Sequence, residues 1–513
     1  MLLRLFIFTI ITVLFCENEA AKILAVFPMP SISHQVTFRP LTHELARRGH
    51  EVTVITTDPA FAKGEAPKNL REIDVHDAAY NLWKKSLGSF ATGKIEDQTN
   101  MSLQLFSSIF ESELQTPQVQ ELIKNRNETF DLLILELCVT LTLGFTHIFK
   151  APVILASSLG GVPHTYNIFG SPSHPIIYST LTTFKINNKT VFDKLIDLFL
   201  YIYGFYTFRN LELFNNAILK KYLGNDTPTL TELSDNIHMI FLNVHPIWDD
   251  NRPVPPNVVY IGGIHLKPPK ELPEDLKSYL DSSKYGVIFF SLGTNVRSSS
   301  LPQEILQTIL KVFSELPYDI LWKWDEDEML DKPKNVRTKK WLPQPDLLRH
   351  PKVKLFITQG GIQSTDEAIT AGVPLLGIPM MADQWFNVER YVQLKIGVRL
   401  DLNDITQDTL KNAINTVIED GSYRRNIEKL RDVVHDQRQG PLELAVWWTE
   451  HVLRHGGARH LRSPAANMSW TQYYEIQLLS ILLAGLIIVV SSVIFILRRC
   501  VRIFKISIKT KTS

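Results

Sequence analysis

The strand-like runs of this chain are apolar on both sides of the pleat, and that narrows its fold more than any other feature. After its lysine, Lys22-Ile-Leu-Ala-Val-Phe27 is apolar throughout, with no polar alternation. Such a strand has to be covered on both faces, as the interior strands of parallel α/β sheets are. A loop, Pro28-Met-Pro-Ser-Ile-Ser-His34, leads into a helix that stops at Gly49, with Arg47 and Arg48 in its last turn where cations suit the dipole. Glu51-Val-Thr-Val-Ile-Thr56 is the next strand. This is a βαβ unit, which builds parallel sheets through right-handed crossovers. Asp131-Leu-Leu-Ile-Leu135 and Pro152-Val-Ile-Leu155 extend the same sheet.

A chain of 513 residues is too long for one core. Two proline clusters, Asp249-Asp-Asn-Arg-Pro-Val-Pro-Pro256 and Lys267-Pro-Pro-Lys-Glu-Leu-Pro273, mark the joint. Beyond it Gly286–Phe290, Ile320–Trp324, Val353–Ile357 and Pro374–Ile378 alternate with helical stretches. The fold class is therefore α/β, with two doubly wound Rossmann-like domains. They face each other across a cleft lined by strand carboxyl ends, where such sheets place ligands. The stretch from about Thr180 to Leu223 is rich in Phe, Tyr and Leu at helical spacing. It fits a membrane-surface element or the helical wall of an apolar substrate pocket. The stretch from about Leu442 to Leu453 is expected to pack across the joint.

The ends of the chain point to export and anchoring. Arg4, the apolar run Leu5–Phe15 and small residues near Ala20 form the pattern of a secretory signal cleaved near Ala20 or Ala21. Leu478–Leu497 has no charge, and as a helix it crosses a hydrocarbon core of about 30 Å. Trp470, Tyr473 and Tyr474 precede it and suit a membrane interface. Arg498, Arg499, Arg502, Lys505, Lys509 and Lys511 follow with no acidic residue, which puts the tail in the cytosol and the bulk in the lumen. The expectation is a single-pass type I membrane protein. Lysines three and five residues from the end resemble a dilysine retrieval signal of the endoplasmic reticulum, or form a plain basic juxtamembrane tail. Sequons at Asn100, Asn127, Asn188, Asn225 and Asn467 fall on the lumenal side and predict a glycoprotein. Only Cys138 remains in the lumen, so no intrachain disulfide or cysteine-based metal site is expected there. A net charge of +1 gives no electrostatic case for nucleic acid.

The chemistry concentrates between Trp341 and Gln384. Phe356-Ile-Thr-Gln359-Gly-Gly361 reads as a strand breaking on two glycines, and a helix starting after them would aim free N–H groups at an anion. Gln359, Gln363 and Ser364 add donors, and Glu367 one turn on is an acceptor for ribose hydroxyls. Trp341 offers a flat face, and Asp383-Gln384 can bind sugar hydroxyls.

This span resembles the donor-binding signature of the UDP-glycosyltransferases, the family that includes the UDP-glucuronosyltransferases and UDP-glucosyltransferases. Tryptophan, glutamine, double glycine, a glutamate eight residues past the strand-end polar residue and a terminal Asp-Gln all match. Phe290-Ser-Leu-Gly-Thr294, the proline-rich joint, the signal, the anchor and the basic tail fit as well, as in the membrane-anchored, insect-like animal members. The resemblance implies a GT-B fold with acceptor in the N-terminal half and nucleotide sugar in the C-terminal half. It implies that Trp341, next to Leu342, stacks on uracil, and that Gln344 and Glu367 hold the ribose. Gln359, Gly361, Gln363, Ser364 and the turn Ser291, Gly293, Thr294 would surround the diphosphate, with Asp383 and Gln384 at the sugar. His34 would be the general base, imidazole being the group that changes charge near neutral pH. Glu136 would orient it, as Asp does in hydrolase triads.

Three positions depart from the family pattern. Gln359 replaces a common histidine, Gln363 a frequent asparagine, and Glu136 an aspartate one methylene shorter. Both glutamines keep a neutral N–H donor suited to phosphate, and Gln359 in a histidine's usual place predicts donor affinity that varies little with pH. Asp325-Glu-Asp327 matches the Asp-x-Asp metal motif of a different glycosyltransferase fold, but its charged surroundings mark a solvated loop. No metal and no permanently bound cofactor is expected.

The expected organisation is a signal at 1–21, an acceptor domain at 22–250, a linker at 251–284 and a UDP-sugar domain at 285–440. Returning helices follow at 441–470, then a transmembrane helix at 477–497 and a basic tail at 498–513. The function implied is inverting transfer of glucose or glucuronic acid from a UDP-sugar to small lipophilic acceptors, as in detoxification, in the endoplasmic-reticulum membrane. Homo- or hetero-oligomers are compatible with it. A non-catalytic binding or partner subunit that kept the fold is the alternative, motivated by Gln359 and Glu136.

Overall fold

The computed structural model describes residues 20–90, 95–125, 127–178, 183 and 185–511. Apart from Ala20 and Ala21, the expected signal segment lies outside the described residues, as do the last two residues of the basic tail.

Two parallel sheets carry the chain. The first runs β1 (Lys22–Phe27), β2 (Glu51–Thr56), β3 (Leu70–Asp74), β4 (Leu132–Glu136), β5 (Val153–Ser157), β6 (Ile237–Leu242) and β7 (Val258–Tyr260). Its spatial order is β3-β2-β1-β4-β5-β6-β7. The second consists of β8 (Val287–Ser291), β9 (Asp319–Lys323), β10 (Val336–Lys339), β11 (Val353–Thr358), β12 (Leu375–Gly377) and β13 (Gly397–Arg399), in the order β10-β9-β8-β11-β12-β13. Ile23 to Val26 and Leu132 to Leu135 are fully buried, as unalternated apolar strands have to be. Chain direction across the sheet reverses between β1 and β4, and again between β8 and β11. Crevices at the carboxyl ends of strands open at such switch points.

The stretch expected as linker, 251–284, contains two ordered pieces. β7 completes the first sheet beside β6, and the helix Glu274–Ser282 buries Leu276 and Leu280. Ser283 fastens that helix to β9 through Asp319 Oδ2 at 2.6 Å. The first sheet therefore ends at Tyr260 rather than near 250, because the prolines up to Pro256 precede a strand instead of closing the domain.

Three helices place the rest. Helix α1 (Ile32–Arg47) follows β1 directly. Helix α2 (Val191–Leu223) opens with a capping box between Thr190 and Asp193, and buries residues only in its second half, from Thr207 to Leu219. Far along the chain, Pro441–Arg454 returns to the first sheet, where Ala445, Val446 and Val452 join the core around Phe38 and Leu45 of α1. Arg48 clamps the contact, donating to Glu443 at 2.6 Å and to Glu450 at 3.1 Å. The terminal helix Ile476–Lys511 is exposed along Ile476–Ile503, a segment long and apolar enough to cross a membrane.

Candidate active site

The predicted site residues gather at the two switch points. His34 lies in the first turn of α1, one loop beyond β1, and Glu136 is the last residue of neighbouring β4. Gln35 holds the loop between them: its Nε2 donates to the carbonyls of Phe27 and Met29 at 2.9 and 3.1 Å. His34 Nδ1 then stands 2.5 Å from Glu136 Oε1. The second Glu136 oxygen accepts from the Met29 N–H at 3.3 Å, and the residue is fully buried. A carboxylate on Nδ1 fixes the tautomer and leaves Nε2 as the basic nitrogen of the ring. The extra methylene of glutamate is accommodated without opening the contact.

Ser158, one residue beyond β5, places its Oγ 3.0 Å from the same Nδ1. Cys138 is close too, and one ligand atom each from His34, Glu136 and Cys138 fits within 4.8 Å. Burial and the nearby Glu136 and Asp383 push the Cys138 thiol up, so it stays protonated and is a poor metal ligand. Behind them Glu113 is a second buried carboxyl, raised by burial and by Glu136, and its oxygens have no hydrogen-bond partner.

The opposing wall is built around β8 and β11. Gly360 and Gly293 both have positive φ, +94° and +75°, and a Cβ on Gly293 would fall 2.4 Å from Gln359 Nε2. Only glycine lets the two turns approach this closely. Ser291 is buried and its Oγ accepts from the Gly293 N–H at 3.3 Å, whereas Thr294 is exposed. Helix α3 (Ile362–Ala371) starts at Gly361 with no side-chain cap. Its first N–H groups and its dipole therefore remain available to an anion. Gln359 is buried, and its Oε1 has no hydrogen-bond partner. Lys323, at the end of β9, donates to the Gly293 carbonyl at 2.5 Å and lies 5.2 Å from the Trp341 ring.

Gln344 donates to Ser364 Oγ at 2.8 Å and to Glu367 Oε2 at 2.7 Å, which joins three predicted residues in one network. Trp341 presents its ring to solvent at 67% exposure, while Leu342 beside it is buried. Burial pushes Glu367 up to about 7 and Asp383 up to about 6. Asp383 also feels the His34 imidazole, so the two walls meet electrostatically at this carboxyl. Its Oδ2 accepts from Asn387 at 2.6 Å. Gln384 spends its Oε1 on the N–H groups of Met380 and Met381, both at 2.9 Å, which leaves its amide nitrogen as the group for other contacts.

Gln363 departs from its predicted grouping with the diphosphate. Its amide crosses to the first domain, donating to the Ser158 carbonyl at 3.0 Å and to Thr37 at 3.3 Å. It is long enough to bridge the cleft at that point, as is the Ser31–Asn295 contact of 3.1 Å. The Asp-x-Asp segment is engaged elsewhere: Asp325 accepts from Ser299 and Arg297, and Asp327 pairs with Lys340 at 2.7 Å. A separate cavity of about 390 Å³ lies at the amino-terminal ends of β5 and β6, beside His238, His455 and Arg459, and contains none of the predicted residues.

Sequence reasoning passed over Ser158, Asn387 and Lys323. Ser158 and Lys323 sit at or just past strand carboxyl ends, the general signal for such sites. Asn387 is one helical turn beyond Asp383, and it also donates to the Gly360 carbonyl at 2.8 Å.

Residues 21–512 match the family described as UDP-glucoronosyl and UDP-glucosyl transferase. An ecdysteroid UDP-glucosyltransferase of Spodoptera littoralis nuclear polyhedrosis virus is 36% identical over 89% of this chain and 93% of its own. UDP-glucosyltransferase 2 of Dactylopius coccus is 34% identical over 94% and 93%. Among solved structures, the glycotransferase of kitacinnamycin superposes with a TM-score of 0.57 at 18% identity, covering 86% of this chain and all of its own. Arabidopsis thaliana UGT89C1 complexed with UDP-L-rhamnose gives 0.56 at 15%, covering 85% and 99%.

Proposed function

Because the chain belongs to the UDP-glucuronosyl and UDP-glucosyl transferase family, with the two-domain GT-B architecture and a UDP-sugar as donor, we propose the following reaction for its cleft. His34 takes the proton of an acceptor hydroxyl while that oxygen attacks the anomeric carbon of the sugar. The bond from that carbon to the diphosphate oxygen breaks on the opposite face, so the configuration inverts through an oxocarbenium-like transition state. Glu136 positions His34 and stabilises the imidazolium. The charge arriving on the departing diphosphate meets the uncapped N-terminus of α3 and the Gln359 amide, which requires no metal. Trp341, Gln344 and Glu367 hold the nucleoside, and Asp383 and Gln384 the sugar.

One observation supports this most: the His34–Glu136 contact of 2.5 Å at one switch point, with Asp383 from the other wall close enough to sense the imidazole. Membership of a transferase family and that contact favour catalysis over the reading as a non-catalytic subunit. We place the acceptor in the N-terminal half and expect small lipophilic hydroxyl compounds, with detoxification as the physiological use. Relatives named for ecdysteroids make polyhydroxylated sterols the first compounds to try. Ile476–Ile503 serves as the single span of an endoplasmic-reticulum membrane protein with lumenal catalytic domains.

The test is UDP release from detergent-solubilised protein with UDP-glucose, UDP-glucuronate and UDP-galactose, each against a phenolic and a sterol acceptor. Turnover with glucose or glucuronate and inverted product stereochemistry are expected. UDP binding without release from any donor would overturn the mechanism.

A further inference from the structure

Among the described residues, the first half of α2 leaves one face exposed. Phe192, Leu195, Phe199, Ile202, Tyr206 and Leu213 recur at intervals of three, four or seven and so share one face. They are 70%, 58%, 56%, 60%, 64% and 68% exposed. An exposed apolar stripe of this extent marks an interaction surface. Its acidic residues are sorted away from it, while Arg209, between Tyr206 and Leu213, falls on it. Asp193 pairs with Lys185 at 2.8 Å and Asp197 with Lys189 at 2.7 Å, both on the other side of the helix at 3.6 residues per turn. From Leu198 to Phe208 the sequence has no charge at all.

We propose that this stripe lies in the interface of the same lipid bilayer that Ile476–Ile503 crosses, giving the lumenal body a second, monotopic contact with the membrane. The inference rests on the reading of that terminal helix as a membrane span. What selects lipid as the occupant is continuity with the anchor through one stretch, the short helix Pro163–Phe169 and the loop that follows it to Ser173. On one side this stretch holds α2: the His164 ring stacks on Phe208 with centroids 5.8 Å apart, and Ser173 Oγ meets Tyr201 Oη at 2.9 Å. On the other side it touches the segment leading to the anchor. The Asn467 N–H donates to the Asn167 carbonyl at 3.2 Å, and a Cβ on Gly170 would fall 2.7 Å from the Ala466 nitrogen. Eight residues separate Asn467 from Ile476. At about 3.3 Å each when extended, they keep the loop within roughly 30 Å of the membrane entry point. Trp470, Tyr473 and Tyr474 in that stretch are exposed and suited to the headgroup level. A surface tethered so closely meets the bilayer at high effective concentration, so modest apolar burial suffices to keep it there.

The experiment uses the full chain with Cys500→Ser, reconstituted in phosphatidylcholine vesicles. Cysteines introduced one at a time at Phe199 or Ile202 carry an environment-sensitive fluorophore, and the Cys500→Ser chain without an introduced cysteine gives the background from Cys138. Val490→Cys reports the span, and Leu330→Cys, 83% exposed in a charged loop, reports water. All four positions are exposed, so the substitutions leave the core intact. Labels at Phe199 and Ile202 should be quenched by nitroxide-bearing lipid, and should be quenched by iodide roughly fivefold less than the Leu330 label. Iodide quenching equal to that at Leu330, with Val490 still quenched by lipid, overturns the docking and leaves the anchor standing. Shielding from both quenchers means that protein, a second copy of this chain, covers the stripe, and also overturns it. A Val490 label that lipid does not quench removes the span and the docking together.

Discussion

On the N-terminal wall of the cleft, Glu136 is satisfied on both oxygens, by His34 and by the Met29 N–H. On the C-terminal wall, Gln359 Oε1 is buried without a partner, α3 begins uncapped, and burial raises three carboxyls, Asp366, Glu367 and Asp383. The His34–Glu136 pair of one wall is assembled before any substrate arrives, with the Glu113 oxygens behind it left unpaired; the other wall keeps polar groups in reserve for a ligand that brings its own charges and hydroxyls. Pre-assembly suits the residue that must hold a proton-transfer geometry. Groups in reserve suit a site whose binding energy comes from completing hydrogen bonds.

The contrast breaks most visibly at His34. His34→Ala should lower kcat by about 10³-fold while UDP affinity, measured by calorimetry, stays unchanged, because the donor wall is separate. Unaltered turnover would remove the base from the mechanism. Glu136→Gln keeps the volume but removes the charge on Nδ1, and should cost about 10²-fold, in kcat rather than KM. On the other wall, Gly293→Ala forces a Cβ into Gln359 at a positive φ. It should weaken UDP binding by roughly tenfold, with kcat at saturating donor nearly intact. The smallest effect is on stability. Asp383 and Glu367 keep their protons in the folded chain up to about 6 and 7, whereas in the unfolded chain they lose them near 4. Their contribution is full below about 4 and is lost as pH rises through about 7. Ligand-free protein should therefore melt at a lower temperature at pH 8 than at pH 5.5, and Glu367→Gln should shrink the difference.

The strands that frame the site were legible because they are apolar on both faces, a pattern that allows only interior parallel strands. The short edge strands β3, β10 and β13 were not, since edge positions carry mixed residues such as Arg71, Arg337 and Arg399. Resemblance pointed to Glu136, but whether its longer side chain still reaches His34 is a tertiary question, and the 2.5 Å contact answers it. Gln363 shows the opposite case: its type suited phosphate, yet proximity of the other domain decides where its amide goes. The expectation of pH-independent donor affinity considered Gln359 alone. Burial, which sequence does not report, brings Glu367 into the same pH range.

The return of Pro441–Arg454 to the first sheet sets a timetable for synthesis. The apolar surface around Phe38 and Leu45 is covered by Ala445, Val446 and Val452, some four hundred residues later in the chain. During synthesis the first domain would therefore wait, incompletely covered, until the second has been made. Chains that stop before this helix should leave an N-terminal domain that is soluble only while a chaperone covers that face, so quality control can read the progress of synthesis from the state of its first sheet.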